Sequence, residues 1–320
     1  MIFKELQSAK RPILIYGWGV RLSGAETEAY KFARFLPVCP TWAVADLLLP
    51  HRVGTFGTHG IKAGNLAVQN ADLIISVGSR LDSKATADVK TFAPKAKIYM
   101  VDIDQGEIDK FKHLGREVFG INQDAKEFLK ASPVVSCQDW LDEIEEWKKS
   151  FPPGDGSEAY KFVENLEIPE DIIVSDTGSS LVWMMQSFRF RGQRFFHAFN
   201  NTPMGYGLPA SIGLHYATGK KICLITGDGG LSVNIGEMAT IQRHKLPIRI
   251  ILFNNRGHGM CRQTQRQWFN GVYNATSYET GLACPDFKQI AKSYEVELQE
   301  VNIGPECGIS PMVKFGESLQ

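Results

Sequence analysis

Residues 221–255 read KICLITGDGGLSVNIGEMATIQRHKLPIRIILFNN, and this stretch decides the fold. Two short apolar runs, KICLIT at 221–226 and IRIILF at 248–253, have the length and composition of buried strands. Residues 236–245 between them have helical spacing and lead into a turn at Pro247. A strand, a helix and a second strand in one short unit predict a parallel sheet covered by helices.

Polar residues follow both of these strands. Asp228 lies in the tetrapeptide GDGG directly after the first strand, and Asn255 follows the second strand 27 residues later. Neighbouring strands lie roughly 5 Å apart, so a carboxylate on one and an amide oxygen on the other can hold one hard cation. Mg²⁺ prefers such oxygens and keeps phosphates among its ligands, while glycine backbone and a helix start favour anions. The pattern predicts a metal–diphosphate site, and the alternative is a tight turn followed by a loop cap.

The rest of the chain repeats the alternation of strands and helices. Further apolar runs predict strands at 11–17, 72–78, 97–102 and 171–175. Helical spacing predicts helices at 25–36, 137–150, 180–188, 207–218 and 285–294. The cluster FPPGDGSE after residue 150 marks a domain boundary. The predicted fold class is therefore α/β, with two doubly wound parallel-sheet domains at residues 1–150 and 157–320.

Composition excludes several classes of protein. Of 320 residues, 43% are hydrophobic and 22% are charged, which is typical of a globular protein rather than a disordered or fibrous one. Basic and acidic residues number 35 each, so neither a general nucleic-acid binder nor an anionic-membrane binder is indicated. We find no apolar run of membrane-spanning length and no secretion signal. The six cysteines lack CxxC pairs and zinc spacing, which indicates reduced thiols in a cytoplasmic protein.

Glycine turns in the first domain suggest a second ligand site. Gly17 and Gly19 follow a predicted strand and precede a helix, as in loops that approach phosphates. Arg80 follows another predicted strand and could pair with a phosphate, and Asp82 or Asp102 could bind a ribose hydroxyl. A tight turn without any ligand explains the glycines equally well.

These motifs together resemble the thiamine-diphosphate enzymes of the acetolactate synthase type. In the second domain the resemblance depends on TPMGYGLPA at 202–210 and on residues 227–260. In the first domain it depends on RPILIYGWGVRLSGA at 11–25, on residues 57–82 and on residues 92–109. The resemblance implies a central domain followed by the pyrophosphate-binding domain of that family.

The resemblance implies a ligand set for each cofactor group. It assigns Mg²⁺ to three residues: Asp228, the side chain of Asn255 and the backbone carbonyl of Gly257. It assigns the diphosphate to two glycines and one turn: Gly229, Gly230 and Thr177–Gly178–Ser179–Ser180. In the central domain it implies FAD or ADP, with Arg80, Asp82 and Asp102 as the contacts.

Further residues would act on the reacting part of the cofactor. The resemblance places Met204 beneath the cofactor, where it forces a bent shape, and places the aminopyrimidine at the backbone near Thr202. It also implies that Met260 faces the reacting carbon. His258 is a candidate for proton transfer. Without the resemblance, Met204 reads as apolar filling near a helix start and His258 as a solvent-facing loop histidine.

The implied activity is that of a carboligase or decarboxylase acting on a 2-oxo acid. The sequence departs from the family at three places. We expect the family's amino-terminal pyrimidine-binding domain to be missing, and with it the glutamate that the resemblance assigns to protonation of the cofactor's pyrimidine ring. We therefore expect a partner chain with that domain, an oligomer, and no activity of the isolated chain. Thr264 falls where acetolactate synthases carry a tryptophan, which argues against acetolactate as the product. Residues 295–320 leave room for one strand, which would expose a sheet edge or invite a partner.

Two alternative functions stay open at this point. One is a noncatalytic chain, either a regulatory nucleotide-binding subunit or a truncated remnant. The other is an oxidoreductase module in the first domain that uses bound flavin, although no acid–base pair facing a substrate supports it.

Overall fold

The computed structural model describes residues 2–131 and 135–319, which form two compact units. The first unit contains the residues up to 154 and those from 310 onward, and the second is Asp155–Ile309. The last residues therefore pack with the first unit, whereas the expected second domain included them. Val313 donates its backbone N–H to the Thr58 carbonyl at 2.8 Å, and Leu319 is fully buried in the core of the first unit.

The first unit is built on a five-stranded parallel sheet. Its strands are β1 (Pro12–Tyr16), β2 (Val38–Pro40), β3 (Leu73–Val77), β4 (Lys97–Asp102) and β5 (Phe119–Asn122). The strand order is β2-β1-β3-β4-β5, and every neighbouring pair is parallel. Strands β1 and β3 are buried at every position, as their uninterrupted apolar runs predict for a sheet covered on both faces.

Helices surround this sheet. They are α1 (Ile2–Ser8), α2 (Trp18–Leu22), α3 (Glu26–Phe32), α4 (Lys62–Asn70), α5 (Ser83–Thr86), α6 (Gln105–His113), α7 (Ala125–Leu129) and α8 (Gln138–Ser150). A short 3₁₀ helix covers Trp42–Val44. The amphipathic pattern predicted for residues 137–150 is confirmed by α8, which buries Trp140, Leu141 and Ile144.

The second unit repeats this architecture. Its strands are β6 (Ile172–Ser175), β7 (Arg194–His197), β8 (Ile222–Gly227), β9 (Ile248–Asn254) and β10 (Leu298–Asn302). The strand order is β10-β9-β8-β6-β7, again parallel throughout. The predicted fold class, α/β with two parallel-sheet domains, is confirmed.

The helices of the second unit lie in the connections between its strands and before the first of them. They are α9 (Glu158–Glu164), α10 (Ser179–Ser187), α11 (Gly207–Thr218), α12 (Asp228–Val233), α13 (Met238–His244), α14 (Gly259–Trp268) and α15 (Phe287–Ser293). Short 3₁₀ helices cover Ile235–Glu237 and Tyr278–Thr280. After α15, the described residues contain one strand, β10, as the sequence predicted. None of the helices in the described ranges has both the length and the hydropathy that a membrane span requires.

Candidate functional site

The topology of the second sheet creates a crevice at its carboxyl edge. The chain runs from β6 to β7 on one side of the sheet, whereas β8, β9 and β10 succeed one another on the other side. Such a reversal leaves a gap outside the carboxyl ends of β6 and β8, which is where open α/β sheets bind ligands. Three loops meet there, at residues 176–178, 227–228 and 255–258.

Asp228 joins two of these loops. It is the first residue of α12, it is buried, and its Oδ1 accepts the N–H of Gly229 at 2.9 Å. Its Oδ2 accepts the N–H of Gly257, which lies in the loop that follows β9, at 2.8 Å. Burial raises the pKa of the Asp228 carboxyl to about 6, although the backbone N–H donors lower it. A cation beside this carboxylate would stabilise its charged form.

The loop after β9 contains the other two candidate metal ligands. Asn255 is buried, and its Nδ2 would lie 2.2 Å from a Cβ added at Gly259. At Gly257, an added Cβ would lie 2.3 Å from the Thr276 carbonyl oxygen, so that position requires glycine. One carboxylate, one side-chain amide and a backbone carbonyl form an oxygen donor set that suits Mg²⁺.

The turn before α10 provides donors for an anion. Gly178 has φ +106°, and α10 begins after it without a side-chain cap. The hydroxyl groups of Ser179 and Ser180 are buried and have no hydrogen-bond partner within the described part of the chain. Ser179 Oγ lies 3.5 Å from the position of a Cβ at Gly259, so this turn adjoins the loop after β9. Unpaired buried donors beside a helix start suit a phosphate group.

Asp176 is a site residue that the sequence analysis missed. It is 1% exposed, and its carboxylate accepts the backbone N–H groups of Thr177 at 2.7 Å, Gly205 at 3.1 Å and Gly207 at 3.3 Å. A Cβ at Gly230 would lie 2.9 Å from the carboxylate. Burial raises the pKa of Asp176, opposed by these N–H groups. The sequence signal that could have identified Asp176 is an acidic residue directly after a predicted buried strand and directly before Thr-Gly.

Met204 and His258 converge above Gly229. A Cβ added at Gly229 would lie 2.7 Å from His258 Cδ2 and 3.0 Å from Met204 Cε, so any larger residue at this position would displace one of these side chains. Met204 is 39% exposed, which argues against a role as apolar filling. Thr202 lies in the same turn with φ +47° and donates its N–H to the Ala198 carbonyl at 2.9 Å.

Two further predicted residues lie in α14, which begins directly after His258. Met260 is its second residue and Thr264 lies one turn later, and both are half-buried. The helical spacing of four places them on one face of α14. The roles predicted for these residues stay predictions.

The glycine turns of the first unit are explained by close packing of two loops. A Cβ at Gly17 would lie 2.2 Å from the Gly78 carbonyl oxygen, and one at Gly19 would lie 2.6 Å from Gly78 Cα. Gly17 donates its N–H to Val77 at 3.0 Å, and Gly19 donates to Gly78 at 2.9 Å. These N–H groups are therefore already paired, which favours the tight-turn interpretation.

The three residues predicted to contact a nucleotide take part in local structure. Arg80 lies 3.9 Å from both Asp82 and Glu107. Asp82 caps α5 by accepting two backbone N–H groups at its start, and Asp102 accepts the N–H of Asp104 at 3.0 Å. Binding of FAD or ADP by this unit stays a prediction.

Comparison with known families divides the sequence into two matching parts. Residues 1–132 match the profile described as "Thiamine pyrophosphate enzyme, central domain". Residues 176–308 match the profile described as "Thiamine pyrophosphate enzyme, C-terminal TPP binding domain". The two matches leave a short interval that includes α8 and α9.

Curated relatives match across both parts. The chain is 34% identical to the "Probable acetolactate synthase large subunit" of Methanocaldococcus jannaschii, with 95% of this chain and 55% of that protein covered. It is 31% identical to the "Acetolactate synthase isozyme 2 large subunit" of Escherichia coli, with 92% and 56% covered. For the "Acetolactate synthase large subunit" of Corynebacterium glutamicum the identity is 32%, with 98% and 58% covered. The chain thus spans about half the length of these relatives.

Proposed function

Since the chain belongs to the thiamine pyrophosphate enzymes, with that family's central and C-terminal domains, we propose that it binds thiamine diphosphate and Mg²⁺ for a 2-oxo acid carboligase or decarboxylase. The observation that carries the proposal is the hydrogen bond from Gly257 to Asp228, which joins the loops after β8 and β9 beside the crevice outside β6 and β8. When bound, thiamine diphosphate supplies a nucleophilic carbon and an electron sink for loss of CO₂ from a 2-oxo acid.

In this proposal, Mg²⁺ is held by Asp228, the Asn255 side chain and the Gly257 carbonyl. The raised pKa of Asp228 supports it, because a buried carboxylate without a cation is costly in its charged form. The described residues contain no group of three or more His, Cys, Asp or Glu side chains suited to a metal. A single carboxylate supplemented by amide, carbonyl and phosphate oxygens is the donor set that Mg²⁺ accepts.

The diphosphate would bind where the turns before α10 and α12 face each other. The hydroxyl groups of Ser179 and Ser180 supply donors that are unpaired within the described residues. Gly229 and Gly230 lack a Cβ, so a phosphate group could come close to their backbone. An added Cβ at either position would crowd neighbouring side chains. Asp176 accepts the N–H of Thr177 in the turn before α10, and it also holds the backbone of Gly205 and Gly207 at the start of α11.

The reacting end of the cofactor would lie beside Met204. Met204 would support this end, the backbone near Thr202 would receive the pyrimidine, and Met260 would face the substrate. His258 lies against Gly229, and in this proposal it would move a proton at the substrate. Met204 and Val233 are exposed by 39% and 56%, and a Cβ at the intervening Gly205 would lie 2.7 Å from Val233 Cγ1. These apolar side chains support coverage of the site by another domain.

We infer that the covering domain is a pyrimidine-binding domain of a partner chain, and that the active form is an oligomer. The matched relatives are named as large subunits, and this chain spans about half their length. The two units described here correspond to the central and C-terminal domains. Catalysis on a 2-oxo acid then requires the pyrimidine-binding domain in addition to these residues.

The test of the cofactor site is calorimetry on Asp228→Ala with thiamine diphosphate and Mg²⁺. Loss of the charged ligand should weaken cofactor binding by at least about tenfold, the scale on which changes around metal sites act. Asp171→Ala is the matched control, because Asp171 precedes β6 at the opposite edge of the sheet and pairs with Lys220 at 3.1 Å. Wild-type affinity of Asp228→Ala for thiamine diphosphate would contradict the assignment of Asp228 as a Mg²⁺ ligand.

A further inference from the structure

Segment 304–309, which follows β10, lies against α14. Gln263 of α14 is only 4% exposed, and both ends of its amide are paired with Ile309. Its Nε2 donates to the Ile309 carbonyl at 2.9 Å, and its Oε1 accepts the Ile309 N–H at 2.8 Å. A buried glutamine whose two amide ends bond one residue's backbone fixes the distance between the helix and the segment.

Close packing reinforces this contact. A Cβ added at Gly308 would lie 2.6 Å from Gln263 Oε1 and 2.8 Å from its Cδ. The segment can therefore approach Gln263 this closely only with glycine at position 308. Glu306 also pairs with α14, through Arg262 at 2.8 Å and through Arg266. The segment is therefore attached to α14 at three side chains.

The attached side chains occupy one side of α14. Arg262, Gln263 and Arg266 are spaced so that they share a helix face. Met260 and Thr264, which are four residues apart, lie on a different face. The segment therefore contacts one face of the helix and leaves the face with Met260 for the proposed site.

The same segment is bonded to a second helix of the site. Trp183 in α10 donates its indole N–H to the Gly308 carbonyl at 3.0 Å, and its ring lies 5.4 Å from that of Phe253 in β9. Helix α10 begins at Ser179, beside the proposed diphosphate, and α14 begins directly after the proposed metal loop. Segment 304–309 is therefore bonded to both helices whose first residues form the proposed site.

We propose that Gln263 is a positioning residue for the cofactor site. By holding Ile309, it fixes α14 at the rotation that places His258 over Gly229 and sets the loop of Asn255 and Gly257. The inference rests on the proposed function for its consequence in cofactor binding. The mechanical part, in which segment 304–309 holds α14 and the metal loop, is independent of any ligand.

The test compares Gln263→Leu with Gln267→Leu in the full chain. Leucine has a similar size but makes neither hydrogen bond, and Gln267 is an exposed residue one turn further along the same helix. Hydrogen exchange should show amides of α14 and of residues 255–259 exchanging about tenfold faster in Gln263→Leu, because two buried hydrogen bonds are lost. Calorimetry with saturating Mg²⁺ should show thiamine diphosphate binding about tenfold weaker. Exchange in β8, and both properties of Gln267→Leu, should match wild type.

Several results would overturn the proposal. Wild-type exchange in α14 together with wild-type affinity in Gln263→Leu would do so, even if the unfolding midpoint fell, since that pattern means fold stabilisation alone. If Gln263→Leu does not fold, Gly308→Ala displaces the segment from the opposite side and carries the same expectations. If the wild-type chain itself fails to bind thiamine diphosphate, the proposed function fails, and the exchange experiment still decides whether segment 304–309 holds α14.

Discussion

Asp228 shows how one side chain can be unfavourable for the fold and favourable for a ligand. Its carboxylate is buried and accepts two backbone N–H groups, yet burial still raises its pKa to about 6. An acid whose pKa is higher in the folded state than its usual value holds a proton more tightly when folded. Ionisation of Asp228 therefore lowers folding stability as pH rises through about 6, and a bound cation would reverse that cost.

The pH dependence of cofactor binding follows from this pKa. Mg²⁺ requires the ionised carboxylate, so the contribution of Asp228 to thiamine diphosphate affinity at limiting Mg²⁺ should be constant above about pH 6 and fall below it. The diphosphate also titrates in this range, so the comparison is with Asp228→Asn, whose profile should keep only the ligand's own step. Calorimetry across pH 5 to 8 checks this, and identical profiles for the two proteins would contradict the role of Asp228.

Sequence analysis missed the least regular strands, several helices of the first unit such as α4 and α6, and the polar helix α14. Strands β5 and β7 have alternating burial over four residues each, and β2 is only three residues long. Helix α14 buries only Gln263 completely and lacks an apolar stripe. Its position depends on polar contacts with segment 304–309, and hydrophobic periodicity does not report such contacts.

The start of α12 allows a test of crowding above Gly229. Gly229→Ala places a methyl group 2.7 Å from His258 and 3.0 Å from Met204, so one of them has to move. We expect the displacement of these partly exposed side chains to cancel the gain in stability that alanine brings to a helix, and we expect weaker thiamine diphosphate binding. Gly213→Ala in α11 is the control, because nothing lies within 4 Å of its added Cβ. It should stabilise the protein by about 0.5–1 kcal/mol in urea unfolding. Equal behaviour of the two variants would contradict the packing above Gly229.

At the scale of the whole molecule, the chain carries two domains of a longer enzyme type. Each unit has its own parallel sheet and core, and the final residues return to the first unit. In the proposed function, Asp228, Asn255 and the turn before α10 would hold the metal and the diphosphate of the cofactor. A pyrimidine-binding domain would supply the glutamate that the resemblance assigns to proton transfer at the pyrimidine.

We therefore expect negligible CO₂ release from pyruvate by the 320-residue chain, even with saturating Mg²⁺ and thiamine diphosphate. Loss of an acid–base group of this kind slows turnover by about 10² to 10⁴. Addition of a chain that carries a pyrimidine-binding domain should restore activity, and replacing the glutamate of that chain with glutamine should remove it. Mass spectrometry of the preparation provides the control, and rapid turnover by the chain free of any partner would contradict the expectation.

The sequence by itself determined the α/β class, most buried strands and the family, because apolar runs and GDGG are local patterns. It also predicted that Asp228 and Asn255 follow adjacent parallel strands at the same sheet edge, because one strand–helix–strand unit contains both. Only the tertiary structure revealed the roles of Asp176 and Gln263. Asp176 bonds a residue 29 positions away, and Gln263 bonds one 46 positions away. Such contacts depend on how separate loops meet in space, and no local periodicity encodes that meeting.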